Sequence, residues 1–212
     1  MKWRQAWRTR HVATDNRPQK VGSRMVRHSH LKAPVARKEG FMSYTTDQIR
    51  NIAVAGHGST GKTTLVENLL FVGGQIDRPE SVASGKTVSD FTEEEIEHKI
   101  SIHTSLSHNF WKGHKINILD TPGASDFVGE VITAFRTAES AVLLVDGEAG
   151  VQIETIKLWR SLDQRDKPRI VFINKMDKER ADFEAVLADL NEKFKVRFVP
   201  VTIPMGTKGK YE

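Results

Sequence analysis

The amino-acid sequence predicts an α/β fold in which a largely parallel β-sheet carries helices on both faces. Short apolar runs typical of buried strands alternate along the chain with segments whose apolar residues recur at helical spacing. Three polar motifs, beginning at Gly56, Asp120 and Asn174, each follow such a strand directly. Because the carboxyl ends of parallel strands share one edge of the sheet, we expect these motifs to meet in one binding site.

The first motif, GHGSTGKT at 56–63, fits the pattern G-x-x-x-x-G-K-[ST] without a mismatch. An apolar run at 51–55 predicts the strand that leads into it, and apolar residues at helical spacing after Lys62 predict the helix that follows. Turns of this kind direct backbone N–H groups at phosphate oxygens, so the motif predicts a P-loop NTPase fold. The residues expected to bind the nucleotide here are Gly56, His57, Gly58, Ser59, Thr60, Gly61, Lys62, Thr63 and Thr64.

The second motif, DTPG at 120–123, supplies the chemistry expected at the phosphates. Lys62 is expected to reach the β- and γ-phosphates, and Thr63 to offer its hydroxyl to Mg²⁺. Asp120 would act on that ion through a water, while the N–H of Gly123 faces the γ-phosphate. Lys62, Asp120 and Gly123 are therefore the candidate catalytic residues.

The third motif, NKMD at 174–177, predicts which base is bound. The Asp177 carboxylate can accept from N1–H and N2–H₂ of guanine, a pair of donors that adenine lacks. The stem of Lys175 can lie over the ring, and Asn174 can tie this loop to the phosphate loop. Taken with the first two motifs, this one predicts GTP and Mg²⁺ as the ligands.

The remaining elements follow from periodicity. Residues 73–99 lose periodicity and are expected to form a long polar loop. Alternation around Ile100 and Ile102, together with the run at 116–119, predicts a hairpin. Further helices are expected around 127–135, 155–162 and 183–194, the last capped by Asp182, and further strands at 141–145, 170–173 and 196–203.

Composition narrows the class of protein. The absence of cysteine excludes disulfides and thiolate metal sites and fits a reducing compartment. No apolar run is as long as a membrane span or a secretory signal, so the sequence predicts a cytoplasmic protein without a membrane partner. The net charge of +5 is concentrated in residues 1–41, which hold 11 Lys and Arg against two acidic residues. Since residues 42–212 are mildly acidic, no sequence-specific nucleic-acid partner is expected.

Residues 1–41 are expected to form a disordered basic extension, and residues 42–212 the nucleotide-binding domain. Three interpretations of the extension stay open. It is an arm that binds RNA or ribosomes through phosphates, an Arg-rich but serine-poor transit peptide, or an artefact of an upstream start before Met42. The nucleotide site does not depend on the choice.

From Arg50 to about Gly206 the sequence resembles the GTPase domain of elongation factor G and of the elongation-factor-G-like translational GTPases. The stretches NFWKGHKINILDTPGASDFVGEV and PRIVFINKMD carry the resemblance beyond the short motifs. It implies GTP hydrolysis that switches conformation on the ribosome, with GTP, GDP and the ribosome as partners. The segments 89–102 and 120–130 would order around the γ-phosphate. The family's S-A-[LFK] guanine loop does not appear before residue 212, so the domain is expected to be incomplete at its C-terminus.

Three positions depart from the family pattern. Ser59 stands where the family has an acidic residue, and Ser101 where it has a threonine. Since Ser101 keeps a hydroxyl, the implied metal set is Thr63, Ser101 and Asp120. Ala124 stands where the family has the histidine that positions the attacking water, so slow intrinsic hydrolysis is expected.

Two alternatives to a GTP-hydrolysing domain stay open at the level of sequence. In one, because of Ala124, the chain is a GTP-binding switch module with little or no hydrolysis. In the other it is a different P-loop enzyme, such as an ATP-dependent phosphotransferase. Nucleotide competition separates the second alternative from GTP binding, and single-turnover hydrolysis separates the first.

Overall fold

The computed structural model describes residues 43–207 and 210–211, and the extension expected at 1–41 lies outside the described residues. Helices alternate with strands along most of the described chain. The helices are α1 (Lys62–Val72), α2 (Glu93–His98), α3 (Val128–Thr137), α4 (Ile153–Asp163) and α5 (Phe183–Phe194). The strands are β1 (Ile49–Gly56), β2 (Ser105–Trp111), β3 (His114–Asp120), β4 (Ser140–Asp146), β5 (Arg169–Asn174), β6 (Gly206–Thr207) and β7 (Lys210–Tyr211).

Within the described residues, five strands form the main sheet in the order β2-β3-β1-β4-β5. Strands β3, β1, β4 and β5 run parallel, whereas β2 is antiparallel to β3 because a tight turn at Lys112 and Gly113 joins them. The parallel strands end at one edge, where the three motifs follow β1, β3 and β5. The predicted α/β class with a mostly parallel sheet is confirmed.

The core lies on both faces of the sheet because side chains alternate along its strands. On β1, Val54 faces α1 and packs against Val66, while Ala55 faces the opposite side. That opposite side is covered by α3 and α4, whose Phe135 and Leu162 are almost fully buried. Burying a side chain of this size stabilises the fold by about 1.5–3 kcal/mol. Helix α5 packs beside α4 and is capped as predicted, because Asp182 accepts from the N–H of Ala185 at 3.1 Å.

The prediction of a long loop without structure at 73–99 is wrong, since this segment contains α2. Thr92 caps the helix: its hydroxyl accepts from the N–H of Glu95 at 3.3 Å, and the Glu95 carboxylate accepts from the N–H of Thr92 at 3.1 Å. This reciprocal capping box satisfies two backbone donors at the start of a helix. Its T-x-x-E signature is present in the sequence, within a crowd of glutamates.

The prediction of a strand around Ile100 and Ile102 is also wrong. Strand β2 begins only at Ser105. The N–H groups of Ile102 and His103 both donate to Oε1 of Glu95 at 3.0 Å. A carboxylate therefore satisfies the backbone groups that a sheet partner would otherwise have paired.

Residues 196–203 do not form the predicted last strand. Val199 and Val201 are exposed, whereas Phe198 is held in place because its N–H donates to Oδ1 of Asn191 at 3.1 Å. The ring of Phe198 packs against Trp159 on α4. The apolar alternation in this segment therefore anchors the chain on α4 and α5 and does not extend the sheet.

Candidate nucleotide-binding site

The motif at 56–63 forms the bend between β1 and α1. Gly61 has φ of 93°, and a Cβ there would lie 2.4 Å from Nδ2 of Asn174, so the position requires glycine. The hydroxyl of Thr60 donates to the carbonyl of His57 at 2.9 Å and closes the turn. Because α1 begins at Lys62, its unpaired N–H groups lie at this loop, as an anion site requires.

A pocket of about 340 Å³ opens beside the loop, within the size range of small-molecule sites. The lining residues predicted from sequence are Gly58, Ser59, Gly61, Lys62, Thr63, Thr64, Ser101, Gly123, Ala124 and Lys175. Val82, Asp90, Lys99 and Ile100 complete the lining. The last three lie in the segment 89–102 that was expected to order around the γ-phosphate, but none of the four was predicted as an individual site residue. Asn174, Asp120 and Asp177 were also predicted but do not line the pocket. Asn174 contacts the phosphate loop through the carbonyl of Thr60, and Asp120 is buried. Asp177 is exposed, after the end of β5.

Lys62 is buried at the base of the pocket. Its Nζ donates to the carbonyls of Gly56 at 3.1 Å and His57 at 3.0 Å. Burial lowers the pKa of Lys62 to about 8, against the opposing effect of the carboxylates of Asp120 and Asp90. An anion in the pocket would compensate this desolvated ammonium.

Asp120, at the end of β3, is 2 % exposed, and within the described residues neither of its carboxylate oxygens accepts a hydrogen bond. Burial raises its pKa to about 6, although the nearby hydroxyls of Ser89 and Thr63 and the ammonium of Lys62 favour the ionised form. A buried carboxylate without donors is costly unless a cation neutralises it. Asp120 therefore marks a candidate cation position.

Two hydroxyl groups, those of Ser89 and Thr63, lie near this position. The oxygens of Thr63 and Ser101 lie 3.3 Å apart, and the hydroxyl of Ser101 donates to Oδ1 of Asp90 at 2.7 Å. Asp90 is 4 % exposed, and burial raises the pKa of its carboxyl. Mg²⁺ prefers oxygen donors of this kind, so the residues present fit that ion. Asp90 has no motif around it, and only its contact with Ser101 reveals it.

Gly123 lets the second motif approach the phosphate loop closely. A Cβ at Gly123 would lie 2.4 Å from Nζ of Lys62 and 2.8 Å from the backbone N of Gly58. Ala124 follows in extended conformation and presents only a methyl group to the pocket. The side of the pocket next to the second motif therefore has backbone groups and no polar side chain at 124.

The third motif is joined to the rest of the site by two contacts. Asn174 Nδ2 donates to the carbonyl of Thr60 at 2.8 Å, which connects β5 with the phosphate loop. Lys175 has φ of 60°, and its Nζ lies 2.8 Å from Oδ2 of Asp146, at the end of β4. Partial burial opposes ionisation of Asp146, but Lys175 and two backbone N–H groups outweigh it and lower the pKa. Sequence reasoning missed Asp146, which fixes the Lys175 side chain.

Carboxylates on neighbouring helices hold the segment 80–104 against the pocket. Glu67 on α1 accepts from the N–H of Glu80 at 3.0 Å and from that of Val88 at 2.5 Å. Glu130 on α3 accepts from the N–H of Thr104 at 2.9 Å. With Glu95 they position this segment so that Ser101 meets the first turn of α1.

Comparison with known proteins agrees with this geometry. Residues 47–210 match the family described as the elongation factor Tu GTP binding domain. Ribosome-releasing factor 2, mitochondrial, of Anopheles gambiae is 42 % identical over 163 residues, which are 77 % of this chain and 22 % of that protein. Elongation factor G 1 of Treponema denticola is 40 % identical over 166 residues, 78 % of this chain and 24 % of that protein.

A solved structure from Thermus thermophilus has a TM-score of 0.73 and 36 % identity, and the match covers 77 % of this chain and 24 % of that one. The chain thus spans about a quarter of the length of these relatives. The resemblance predicted from the motifs is confirmed over this region. The chain belongs to the family of elongation factor Tu GTP-binding domains.

Proposed function

We propose that the chain binds GTP with Mg²⁺ in the pocket between the phosphate loop and segment 80–104 and hydrolyses the nucleotide. The observation that carries the proposal is the buried Asp120 carboxylate, whose oxygens accept no hydrogen bond within the described residues, beside the hydroxyl of Thr63, which in turn lies 3.3 Å from that of Ser101. This oxygen-rich position adjoins a P-loop whose lysine is also desolvated. A metal-bound triphosphate compensates both buried charges at once.

The phosphate loop supplies the binding groups for the triphosphate. Lys62 and the N–H groups of the loop and of the first turn of α1 contact its oxygens. Thr63, Ser101 and Asp120 would hold the ion. Bound Mg²⁺ supplies charge neutralisation at the β- and γ-phosphates. The N–H of Gly123 faces the γ-phosphate.

Guanine selection is assigned to the third motif. Asp177 accepts from N1–H and N2–H₂, and the stem of Lys175 lies on the ring. The ion pair with Asp146 supports this proposal because it orders Lys175. Asn174 keeps the base loop and the phosphate loop at a fixed separation through its contact with Thr60.

The hydrolytic step is proposed to be slow without a partner, because Ala124 lacks a group to orient water. The names of the relatives, elongation factors and ribosome-releasing factors, support a GTPase and give no support to the alternative of binding without hydrolysis. By the same names we propose the ribosome as the partner to which the segments 89–102 and 120–130 respond.

We propose the cytoplasm as the compartment. Within the described residues no helix has the length and apolar character needed to cross a membrane. Several relatives carry the name mitochondrial, and others are bacterial elongation factors. Fractionation of cells that express the tagged chain tests the assignment, and recovery with mitochondria would contradict it.

Single-turnover hydrolysis of GTP, with and without ribosomes and with Mg²⁺ or EDTA, tests the proposed function. We expect Mg²⁺-dependent release of phosphate from GTP and none from ATP. Thr63→Ala should abolish the Mg²⁺-dependent turnover, whereas Thr133→Ala, on the exposed side of α3, should behave as the native chain. Equal turnover of ATP, or turnover unaffected by EDTA, would contradict the proposal.

A further inference from the structure

Among the described residues, three lysines line the pocket: Lys62, Lys99 and Lys175. The ammonium of Lys62 donates to two carbonyls of the phosphate loop, and that of Lys175 pairs with Asp146. The side chain of Lys99 is exposed and makes no hydrogen bond or ion pair within residues 43–207 and 210–211. Lys99 therefore brings an uncommitted positive charge to the pocket.

The backbone fixes where Lys99 stands. It is the C-cap of α2, with φ of 55° and ψ of 39°, a left-handed conformation that favours glycine and that lysine adopts only under strain. Glu95 holds the chain on both sides of this cap, by capping α2 and by accepting from the N–H groups of Ile102 and His103. The rim position of Lys99 is thus set by the packing of its neighbours.

The side of the pocket that Lys99 shares is the one expected to receive the terminal phosphate. Ser101, two residues on, contacts Thr63, and the second motif contributes Gly123 and Ala124 to the same lining. No polar side chain stands at 124. Lys62, the other cation placed for the phosphates, is already shared with carbonyls and carboxylates.

We propose that Lys99 contacts the terminal phosphate of bound GTP and so acts as a substrate-contacting residue delivered by the segment 89–102. The inference rests on the proposed function and specifies a residue that distinguishes GTP from GDP at that site. An ammonium is a compact charge on a flexible stem, suited to an anion at a pocket rim. Since GDP lacks the terminal phosphate, the contact exists only with the triphosphate.

The test compares GTP and GDP affinities, measured by calorimetry with Mg²⁺, for the native chain, Lys99→Gln and Lys99→Arg. Loss of one charge-assisted contact should weaken GTP binding by about tenfold in Lys99→Gln, with GDP affinity unchanged. Lys99→Arg, which keeps a cation, should bind GTP nearly as the native chain does. Thermal unfolding of each variant checks that the fold is kept.

Lys195 offers a matched control, because it is also an exposed left-handed helix C-cap, at φ of 53° and ψ of 33°, and does not line the pocket. Lys195→Gln should leave both affinities unchanged. Lys99→Gly distinguishes the effect of backbone strain from that of the lost charge. Glycine adopts the left-handed conformation without strain, yet this variant should lose GTP affinity as Lys99→Gln does.

Four results would overturn the inference. An unchanged ratio of GTP to GDP affinity in Lys99→Gln would show that the ammonium makes no contact with the terminal phosphate. An equal loss of GTP and GDP affinity in Lys99→Gln would show that any contact of Lys99 is not with the terminal phosphate. The same loss of GTP affinity in Lys195→Gln would show that the effect comes from the helix C-cap. A native chain that binds neither nucleotide overturns the proposed function as well, which separates the two failures.

Discussion

The hydroxyl oxygens of Thr63 and Ser101 lie 3.3 Å apart, although the two residues are 38 positions apart in the sequence. Thr63 stands in the first turn of α1, and Ser101 follows α2 in the segment held by Glu95. The same Ser101 hydroxyl donates to Asp90. The segment that contains Ser101 is therefore held at the phosphate loop by the same hydroxyl that adds an oxygen next to Thr63.

Ser101→Ala is expected to raise the Mg²⁺ concentration that GTP binding requires. The substitution removes one oxygen from the candidate cation position. It also removes the Ser101 hydroxyl that donates to the buried Asp90 carboxylate, and leaving that acceptor unsatisfied costs about 1–3 kcal/mol of folding stability. Titration of GTP binding with Mg²⁺ measures the effect. Ser101→Thr keeps the hydroxyl and serves as the control. An identical Mg²⁺ requirement in Ser101→Ala and the native chain would remove Ser101 from the metal set.

Asp120 should make the stability of the nucleotide- and metal-free protein depend on pH. Its folded-state pKa of about 6 lies above the ordinary value of 3.8. Its stabilising contribution is therefore complete below about pH 4 and is lost as the pH rises to about 6. Asp120→Asn, which cannot ionise, should gain up to about 3 kcal/mol relative to the native chain between pH 4 and pH 7.

Urea unfolding in EDTA at the two pH values measures this change in relative stability. Asp126→Asn, at an exposed carboxylate near the same motif, is the control and should show little change. If the stability difference between Asp120→Asn and the native chain were the same at pH 4 and pH 7, the buried carboxyl would not carry a raised pKa.

The features predicted correctly from the sequence are those formed by residues that are continuous in the chain. Each of the three motifs is a short run whose neighbours predict a strand before it, and each lies at the expected sheet edge. The individual roles of Asp90, which lies within the predicted segment 89–102, and of Asp146 were not predicted. They arise from contacts with Ser101 and Lys175, which only the folded chain brings near. No local pattern encodes such contacts.

The errors in secondary structure have a related cause. Alternation near Ile102 suggested a strand, but a side chain from α2, Glu95, takes the backbone donors. Alternation at 196–203 likewise predicted a strand, whereas Phe198 packs against Trp159. The periodicity of a sequence shows which side chains are apolar. It does not show which group will pair with the backbone N–H and C=O groups.

Ala124→His is expected to raise the rate of GTP hydrolysis. A side chain that positions the attacking water contributes about 10²–10⁴-fold in rate, and a methyl group cannot do this. GTP affinity should change little, because residue 124 adjoins the terminal-phosphate side of the pocket and not the base. Ribosome-stimulated single-turnover hydrolysis at saturating GTP measures the gain. Fast turnover by the native chain, without gain from histidine, would mean that another group positions the water.

Base selection by Asp177 tests the central claim, GTP binding at this sheet edge, most directly. The measurement is competition among GTP, xanthosine triphosphate and ATP for the native chain, Asp177→Asn and the control Glu179→Gln, an exposed residue of the same turn. The native chain and the control should prefer GTP. Asp177→Asn should lose GTP affinity on the order of 100-fold and shift its preference toward xanthosine triphosphate, whose ring offers an acceptor there. An unchanged base preference in Asp177→Asn would contradict the account.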